Sequence, residues 1–321
     1  MNQPVQSRNC PLCDSLNWKI VASGQAEQII NASEYYDDSA YDRLGISPKT
    51  PFSLSKCQDC QFVYASQVPA DSFLQRLYAS GSCLEKSVAT FARPSRAAFA
   101  FNSLSTLLTA IATKASDHEG LGKKIRILDV GCAYGVGSLG LARTHYPYEV
   151  VGVELSDLAR TYIAREGMQA FSTLGDLNNA EPFDGILLND ILEHVADPLG
   201  FVSDLKKVSH NNTAIWVNVP NFIDWRLSTA LEKINQGRMD APKDVNPWEH
   251  LSYFSPQTLD KLMQKVGAKR HTDTLVNYPV SSHSFKDFIT SVLRAVRDFW
   301  RMYKGKYPNE VTTSGIYFFK K

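Results

Sequence analysis

The sequence has no run of apolar residues long enough to cross a bilayer, which takes on the order of 18 or more. The most apolar stretch, 97–113, is broken by Asn102, Ser103, Ser105, Thr106 and Thr109, so it reads as a buried or amphipathic helix. An excess of either charge is also missing. Lys and Arg number 34 against 33 Asp and Glu, a net charge of +1, so no global field draws the chain to nucleic acid or to an anionic membrane. There is no secretory pattern: residues 1–14 are polar and already hold two cysteines. A cytoplasmic, reducing setting is therefore expected, where paired cysteines serve as metal ligands more often than as disulfides. Internal repeats and low-complexity tracts are absent as well. The 321 residues, 44% hydrophobic and 21% charged, fit an ordinary globular chain with one large domain and an appendage.

Four of the six cysteines form two C-x-x-C pairs, Cys10-Pro11-Leu12-Cys13 and Cys57-Gln58-Asp59-Cys60. Each pair bends the chain so that both sulfurs face one point. Two such knuckles supply the four thiolates of a closed, tetrahedral structural zinc site, with no position open for chemistry. A redox C-x-x-C is the alternative, but two pairs near one another favour metal. The interval 14–56 is long for a zinc ribbon and must hold an insertion. Cys83 and Cys132 are left over, and Cys132 reads as a small packing residue.

After the second knuckle, Gln61-Phe62-Val63-Tyr64 reads as a strand beside the metal. Helical spacing of apolar residues covers about 72–120, and within and beyond its end the polar run 114–124, with Gly120 and Gly122, reads as a linker. Strands and helices then alternate. Strands are expected over 125–130, 149–153, 185–188, 214–219 and 315–319, with helices over 157–166 and 198–208. A further helix is capped by Ser255-Pro256 and stopped by Gly267. This alternation argues for a mostly parallel sheet covered on both faces.

The chemistry is concentrated in Ile127-Leu128-Asp129-Val130-Gly131-Cys132-Ala133-Tyr134-Gly135-Val136-Gly137, a strand that enters a glycine turn and opens a helix. Gly131, Gly135 and Gly137 follow G-x-x-x-G-x-G, not the G-x-G-x-x-G of dinucleotide sites. Asp129 at the strand tip would repel a pyrophosphate but suits the cationic ammonium of a methionine moiety. Glu154, ending the second strand, can accept from ribose hydroxyls. Asp176, in Leu174-Gly175-Asp176-Leu177, is placed to accept from an adenine amino group. Together these carboxylates point to S-adenosylmethionine (SAM), with Tyr134, Leu177 and Asn189 as further candidate contacts.

The segment from Asp129 to Gly137, with Glu154 and Asp176, resembles the SAM-binding core of class I methyltransferases over about 125–321. Gly-Cys-Ala-Tyr-Gly departs from the commoner Gly-Cys-Gly-Thr-Gly at Tyr134. The run Phe183-Asp184-Gly185-Ile186-Leu187-Leu188-Asn189-Asp190-Ile191-Leu192-Glu193-His194-Val195 resembles the fourth-strand motif of the same enzymes. The paired knuckles, Pro51-Phe52 and Trp248-Glu249-His250-Leu251-Ser252-Tyr253-Phe254-Ser255 are similar to features of bacterial methyltransferases of deoxysugar and polysaccharide pathways. The resemblance implies a doubly wound, Rossmann-like α/β domain at 125–321, preceded by a zinc-binding module at 1–75 and a helical connector at 76–124. It also implies SAM as methyl donor and a sugar, sugar nucleotide or glycan as acceptor.

Candidate acceptor-side residues are His194, Asp190 and His250, any of which could remove or relay a proton; the plain alternative is that the histidines hydrogen-bond and pack. The connection 221–247, with Trp225, Arg226 and nearby Trp248, is long enough for a lid, and its aromatics could stack on a sugar or simply pack. Arg294, Arg297, Arg301, Lys304 and Lys306 fall on a C-terminal helical pattern with Trp300 and Tyr303. That face could touch a membrane surface or a phosphate-bearing substrate, or be solvated. The competing functions are an RNA methyltransferase that uses the zinc module to bind RNA, a non-catalytic SAM-binding scaffold, and a nicotinamide dehydrogenase. Near-zero net charge disfavours the first, the intact loop the second, and the glycine spacing with Asp129 the third. The oligomeric state is not legible.

Overall fold

The computed structural model describes residues 5–30, 41–42, 45–69, 94–115, 124–143, 148–222, 224–238, 245–271 and 312–319. Cys83 and the basic pattern at 292–306 lie outside them.

The N-terminal part contains β1 (Val5–Ser7), β2 (Trp18–Gln25), α1 (Glu27–Ile30), β3 (Pro51–Cys57), β4 (Val63–Ala65) and β5 (Gln67–Pro69). Then come α2 (Pro94–Ala115), β6 (Ile125–Val130), α3 (Ser138–Ala142), β7 (Tyr148–Val153), α4 (Asp157–Arg165), β8 (Gln169–Phe171), β9 (Phe183–Asn189), α5 (Pro198–Leu205) and β10 (Ser209–Pro220). The remaining elements are α6 (Asp224–Asn235), β11 (Ser252–Tyr253), α7 (Pro256–Lys265), β12 (Ala268–Arg270) and β13 (Thr312–Phe319). Short 3₁₀ turns cover Leu174–Leu177, Leu192–His194 and Lys206–Val208.

A seven-stranded sheet runs in the order β12-β13-β10-β9-β6-β7-β8. The five strands from β10 to β8 are parallel, β13 pairs antiparallel with β10, and β12 at the edge pairs antiparallel with β13. The chain builds outward from β6 through β7 to β8, then returns to place β9 on the other side of β6. That reversal leaves a crevice beyond the carboxyl ends of β6 and β9, the position at which open α/β sheets bind ligands.

Alternation along the strands explains the two covered faces. Leu128, Val130, Ile186, Leu188, Ile215 and Val217 enter one core with Val202 and Leu205 of α5 and Leu259, Leu262 and Met263 of α7. Ile127, Leu187, Ala214 and Trp216 enter the opposite core with Leu104, Leu107, Ala110 and Ile111 of α2. Each fully buried aliphatic side chain contributes about 1.5–3 kcal/mol relative to exposure. Gly185 permits the close approach of α2, because a Cβ there would sit 2.8 Å from Ile111 Cδ1. The helix that the sequence assigns to a connector is thus packed as one of the layers on the sheet. Released from the sheet, it would expose the apolar stripe that fills this core.

The cysteine-bearing segment is likewise joined to the rest. β11 completes an antiparallel sheet of order β11-β4-β3-β2, pairing Ser252 with Tyr64 and Tyr253 with Val63. The expected lid region holds α6, whose Leu227, Ala230 and Ile234 pack with Ala22 of β2 and Phe52 and Leu54 of β3. Trp248 is 2% exposed in that same core. Its indole is therefore a packing element and not a free stacking platform, while residues 239–244 lie outside the described set.

Candidate functional site

Both knuckles fold alike. Asp14 N–H donates to Cys10 O at 2.7 Å and Gln61 N–H to Cys57 O at 3.1 Å. The residue after each second cysteine turns left-handed, with φ 58 at Asp14 and 67 at Gln61. The sulfurs of Cys10 and Cys60 lie 3.5 Å apart, as do those of Cys13 and Cys57, and all four fall within 4.8 Å of one another. Thiolates sharing a tetrahedral zinc at about 2.3 Å are separated by about 3.8 Å. The donor set and spacing therefore fit a structural zinc ion. Leu12, Phe62 and Tyr64 beside the knuckles are buried with Phe254 and Leu259, and Lys261 of α7 donates to Cys60 O.

The glycine loop lies at the crevice. Gly131 N–H donates to Val153 O at 2.7 Å, tying the loop to the end of β7. Gly131, Gly135 and Gly137 all have left-handed φ, at 68, 69 and 89. At Gly131 a Cβ would also come within 2.1 Å of Ile191 Cδ1, so the segment after β9 sits directly on the loop. Asp129 is 7% exposed, and its Oδ2 accepts from Ser138 Oγ at 2.5 Å. Burial pushes its carboxyl up to about 6, against the Ser138 hydrogen bond and with the Glu154 charge adding to the rise. A buried acid in this state gains from a cationic partner.

Glu154 is half-buried and spans the mouth of the loop. It accepts from Ala133 N–H at 2.9 Å and Ser156 N–H at 2.8 Å, through different oxygens. Asp176 is exposed, and its Oδ2 accepts from Ser172 Oγ at 2.8 Å and from Thr173 N–H at 2.9 Å, closing the capping box of its own turn. The Ser172 hydrogen bond leads in holding this carboxyl below its ordinary value. Leu177 is 3% exposed and belongs to the core under that turn. Tyr134 is buried edge-on against Tyr162 of α4, with ring centroids 5.4 Å apart. Asn189 Oδ1 accepts from Trp216 Nε1 at 2.8 Å.

A second cluster forms beyond β9. Asp190 is exposed with φ 53, and its Oδ1 accepts from Asn218 Nδ2 at 3.0 Å. His194 and His250 meet edge-to-face with ring centroids 4.8 Å apart, although they lie on segments far apart in sequence. His194 Nδ1 lies 3.0 Å from Glu249 O. A carbonyl only accepts, so Nδ1 carries the proton and Nε2 presents its lone pair. Burial, with His250 adding to the effect, pushes His194 down to about 3, so the ring is neutral at ordinary pH.

Two residues absent from the sequence-based candidates belong here. Glu193 is 1% exposed, and burial, reinforced by the Asp190 charge, raises its carboxyl well above the usual carboxylate range. Its place next to His194 in an apolar-flanked turn was the available signal. Arg8 reaches across from the cysteine segment. It donates from Nε to Ala65 O at 2.9 Å and from its two terminal nitrogens to Ala196 O and Leu251 O. Those carbonyls lie next to the segments that carry His194 and His250. No local pattern marks Arg8.

A family model described as "Methyltransferase domain" matches residues 96–272. A ubiquinone biosynthesis O-methyltransferase from Dinoroseobacter shibae is 27% identical over 153 residues, 45% of this chain and 60% of that protein. A ubiquinone biosynthesis O-methyltransferase from Histophilus somni is 26% identical over 161 residues, 44% of this chain and 66% of that protein. The matches thus span less than two thirds of these curated relatives. Among solved structures, the plantazolicin methyltransferase BamL, in complex with a triazolic desmethylPZN analog and SAH, aligns with TM-score 0.47 and 18% identity. That alignment covers 75% of this chain and 93% of that one. With more than half of its 321 residues inside the family match, the chain belongs to the methyltransferase-domain family.

Proposed function

We propose that this chain transfers the methyl group of SAM to a small-molecule acceptor that presents a hydroxyl, with a sugar, sugar nucleotide or glycan as the acceptor class suggested by its sequence resemblance. The observation that carries the reading is the buried Asp129 carboxylate at the end of β6, beside a loop that Gly131 brings up against the segment after β9. Asp129 would hold the donor's ammonium, and the pairing would repay part of the cost of ionising a buried acid. Glu154 would accept from the ribose through the lone pairs that its two backbone hydrogen bonds leave. Asp176 would face the adenine from a turn stiffened by its own capping bonds.

In the transfer, a lone pair on the acceptor oxygen forms a bond to the methyl carbon. The carbon–sulfur bond breaks with its electron pair going to sulfur, which leaves S-adenosylhomocysteine, and the acceptor proton departs. Asp190, His194 and His250 line the acceptor side, where that proton must be handled. The ubiquinone O-methyltransferase names of the relatives favour oxygen as the atom methylated, and make phenols a second acceptor class to screen. The four-cysteine cluster would hold zinc as a structural ion.

Calorimetric titration of the zinc-replete chain with S-adenosylhomocysteine, and separately with NAD, tests the donor assignment. Micromolar binding of the former alone is expected, and its loss in Asp129→Ala ties it to the crevice. Binding of NAD alone, or of neither ligand, would refute the assignment. Turnover of SAM with sugar nucleotides or phenols, and none with RNA, then identifies the acceptor.

A further inference from the structure

Glu193 poses a physical problem that the donor site does not solve. Its side chain is 1% exposed, and neither carboxylate oxygen meets a hydrogen-bond partner among the described residues. An isolated buried carboxylate is among the most costly groups a fold can keep, and such groups are normally paired or bound to a metal. The backbone around it is fixed: Leu251 N–H donates to Glu193 O at 2.6 Å. That bond joins the turn that bears Glu193 and His194 to the segment that bears His250. One donor atom from each of these three side chains falls within 4.8 Å of the others. His194 Nε2 to Glu193 Oε1 measures 3.8 Å, against about 3–3.5 Å for donors that share one first-row cation.

The histidine is also prepared in the way metal ligands are. A ligating imidazole almost always donates its other N–H to a carbonyl or carboxylate, which fixes the tautomer and the ring direction. The His194 ring does this through Nδ1 to Glu249 O at 3.0 Å, turning its lone-pair nitrogen toward Glu193. We propose that Glu193, His194 and His250 bind one divalent cation of the zinc or manganese class at the acceptor side of the crevice. Two imidazoles and one carboxylate suit such ions. Three protein ligands leave positions open for substrate oxygen, as in catalytic and not structural sites. The purpose of the site rests on the methyl-transfer reading. An acceptor hydroxyl bound to the cation would lose its proton to water more readily, and the oxygen so exposed would attack the methyl carbon.

The test uses the full chain and the metals alone. Manganese(II) titration followed by paramagnetic resonance should show one saturable site per chain, because a hard ion avoids the four-thiolate cluster. Zinc loading and desalting should retain about two ions per chain, against about one in the variants. Glu193→Gln and His250→Gln should each weaken manganese binding by at least about tenfold, while S-adenosylhomocysteine affinity stays unchanged and so reports an intact fold. Absence of saturable binding beyond the cysteine cluster, or binding that both variants preserve, overturns the site. If S-adenosylhomocysteine fails to bind the wild type while manganese follows these three residues, the donor assignment falls and the cation site stands.

Discussion

Asp129 is under two opposed demands. In the fold its carboxyl is pushed from 3.8 to about 6, chiefly by burial. The resulting cost to stability is absent below the lower value, grows as the pH rises between the two, and is full above the upper one. Asp129→Asn keeps the shape and the contact with Ser138 while removing the charge. It should raise stability at neutral pH by up to about 3 kcal/mol, read as a higher Tm, and weaken S-adenosylhomocysteine at least about tenfold. A lower Tm in this variant would mean that the carboxylate is not a strained group. The pH dependence follows from the same linkage. Binding a cationic ammonium requires the charged form, so affinity should fall about tenfold between about pH 7 and about pH 5, and the Asn variant should lose that slope. At this scale the sequence was informative. Asp129, Glu154, the glycines and the four cysteines could be named from spacing alone. The packing of Tyr134 on Tyr162, the bond from Trp216 to Asn189 and the burial of Leu177 could not, because each depends on a partner distant in the chain.

Among the elements, β11 and the segment before it matter most. His250 sits between a turn closed by His250 N–H to Asn246 O at 2.6 Å and a strand that pairs with β4 next to the second knuckle. Arg8 fastens the same stretch through the carbonyls of Leu251 and Ala196, with its guanidinium over the Tyr64 ring at 5.5 Å. Arg8→Gln should therefore retain zinc and S-adenosylhomocysteine affinity, yet speed amide exchange over 249–252 and lower kcat more than it raises KM for SAM. Unchanged exchange in that stretch would show that the strand pairing alone holds the loop. Element types were readable from periodicity, as with α4 and the Ser255-capped α7, whose N-cap accepts from Thr258 N–H as its sequence suggested. Their partners were not. A two-residue strand such as β11 carries no periodic signal and exists because β4 lies beside it.

For the whole molecule, the cysteine cluster is continuous with the main core, since Cys10 and Cys57 are buried together with residues of β6, β9 and α7. Withdrawal of zinc by a chelator under reducing conditions should lower Tm by on the order of 10 °C and loosen 249–253 along with the knuckles. A melting transition confined to the first 69 residues, with His194 and His250 unaffected, would show that the module is mechanically separate. The sequence by itself determined the alternating α/β pattern, the glycine loop with its carboxylates and the two C-x-x-C knuckles. These depend on local backbone geometry and on the spacing of neighbouring side chains, which a linear chain displays directly. Only the tertiary structure decided that α2 is a layer of the sheet, that the cysteine segment shares a sheet with the strand that follows His250, and that Glu193, His194 and His250 converge. Those features arise from burial and from contacts between segments far apart in sequence, and their cost or gain exists only once the core has closed.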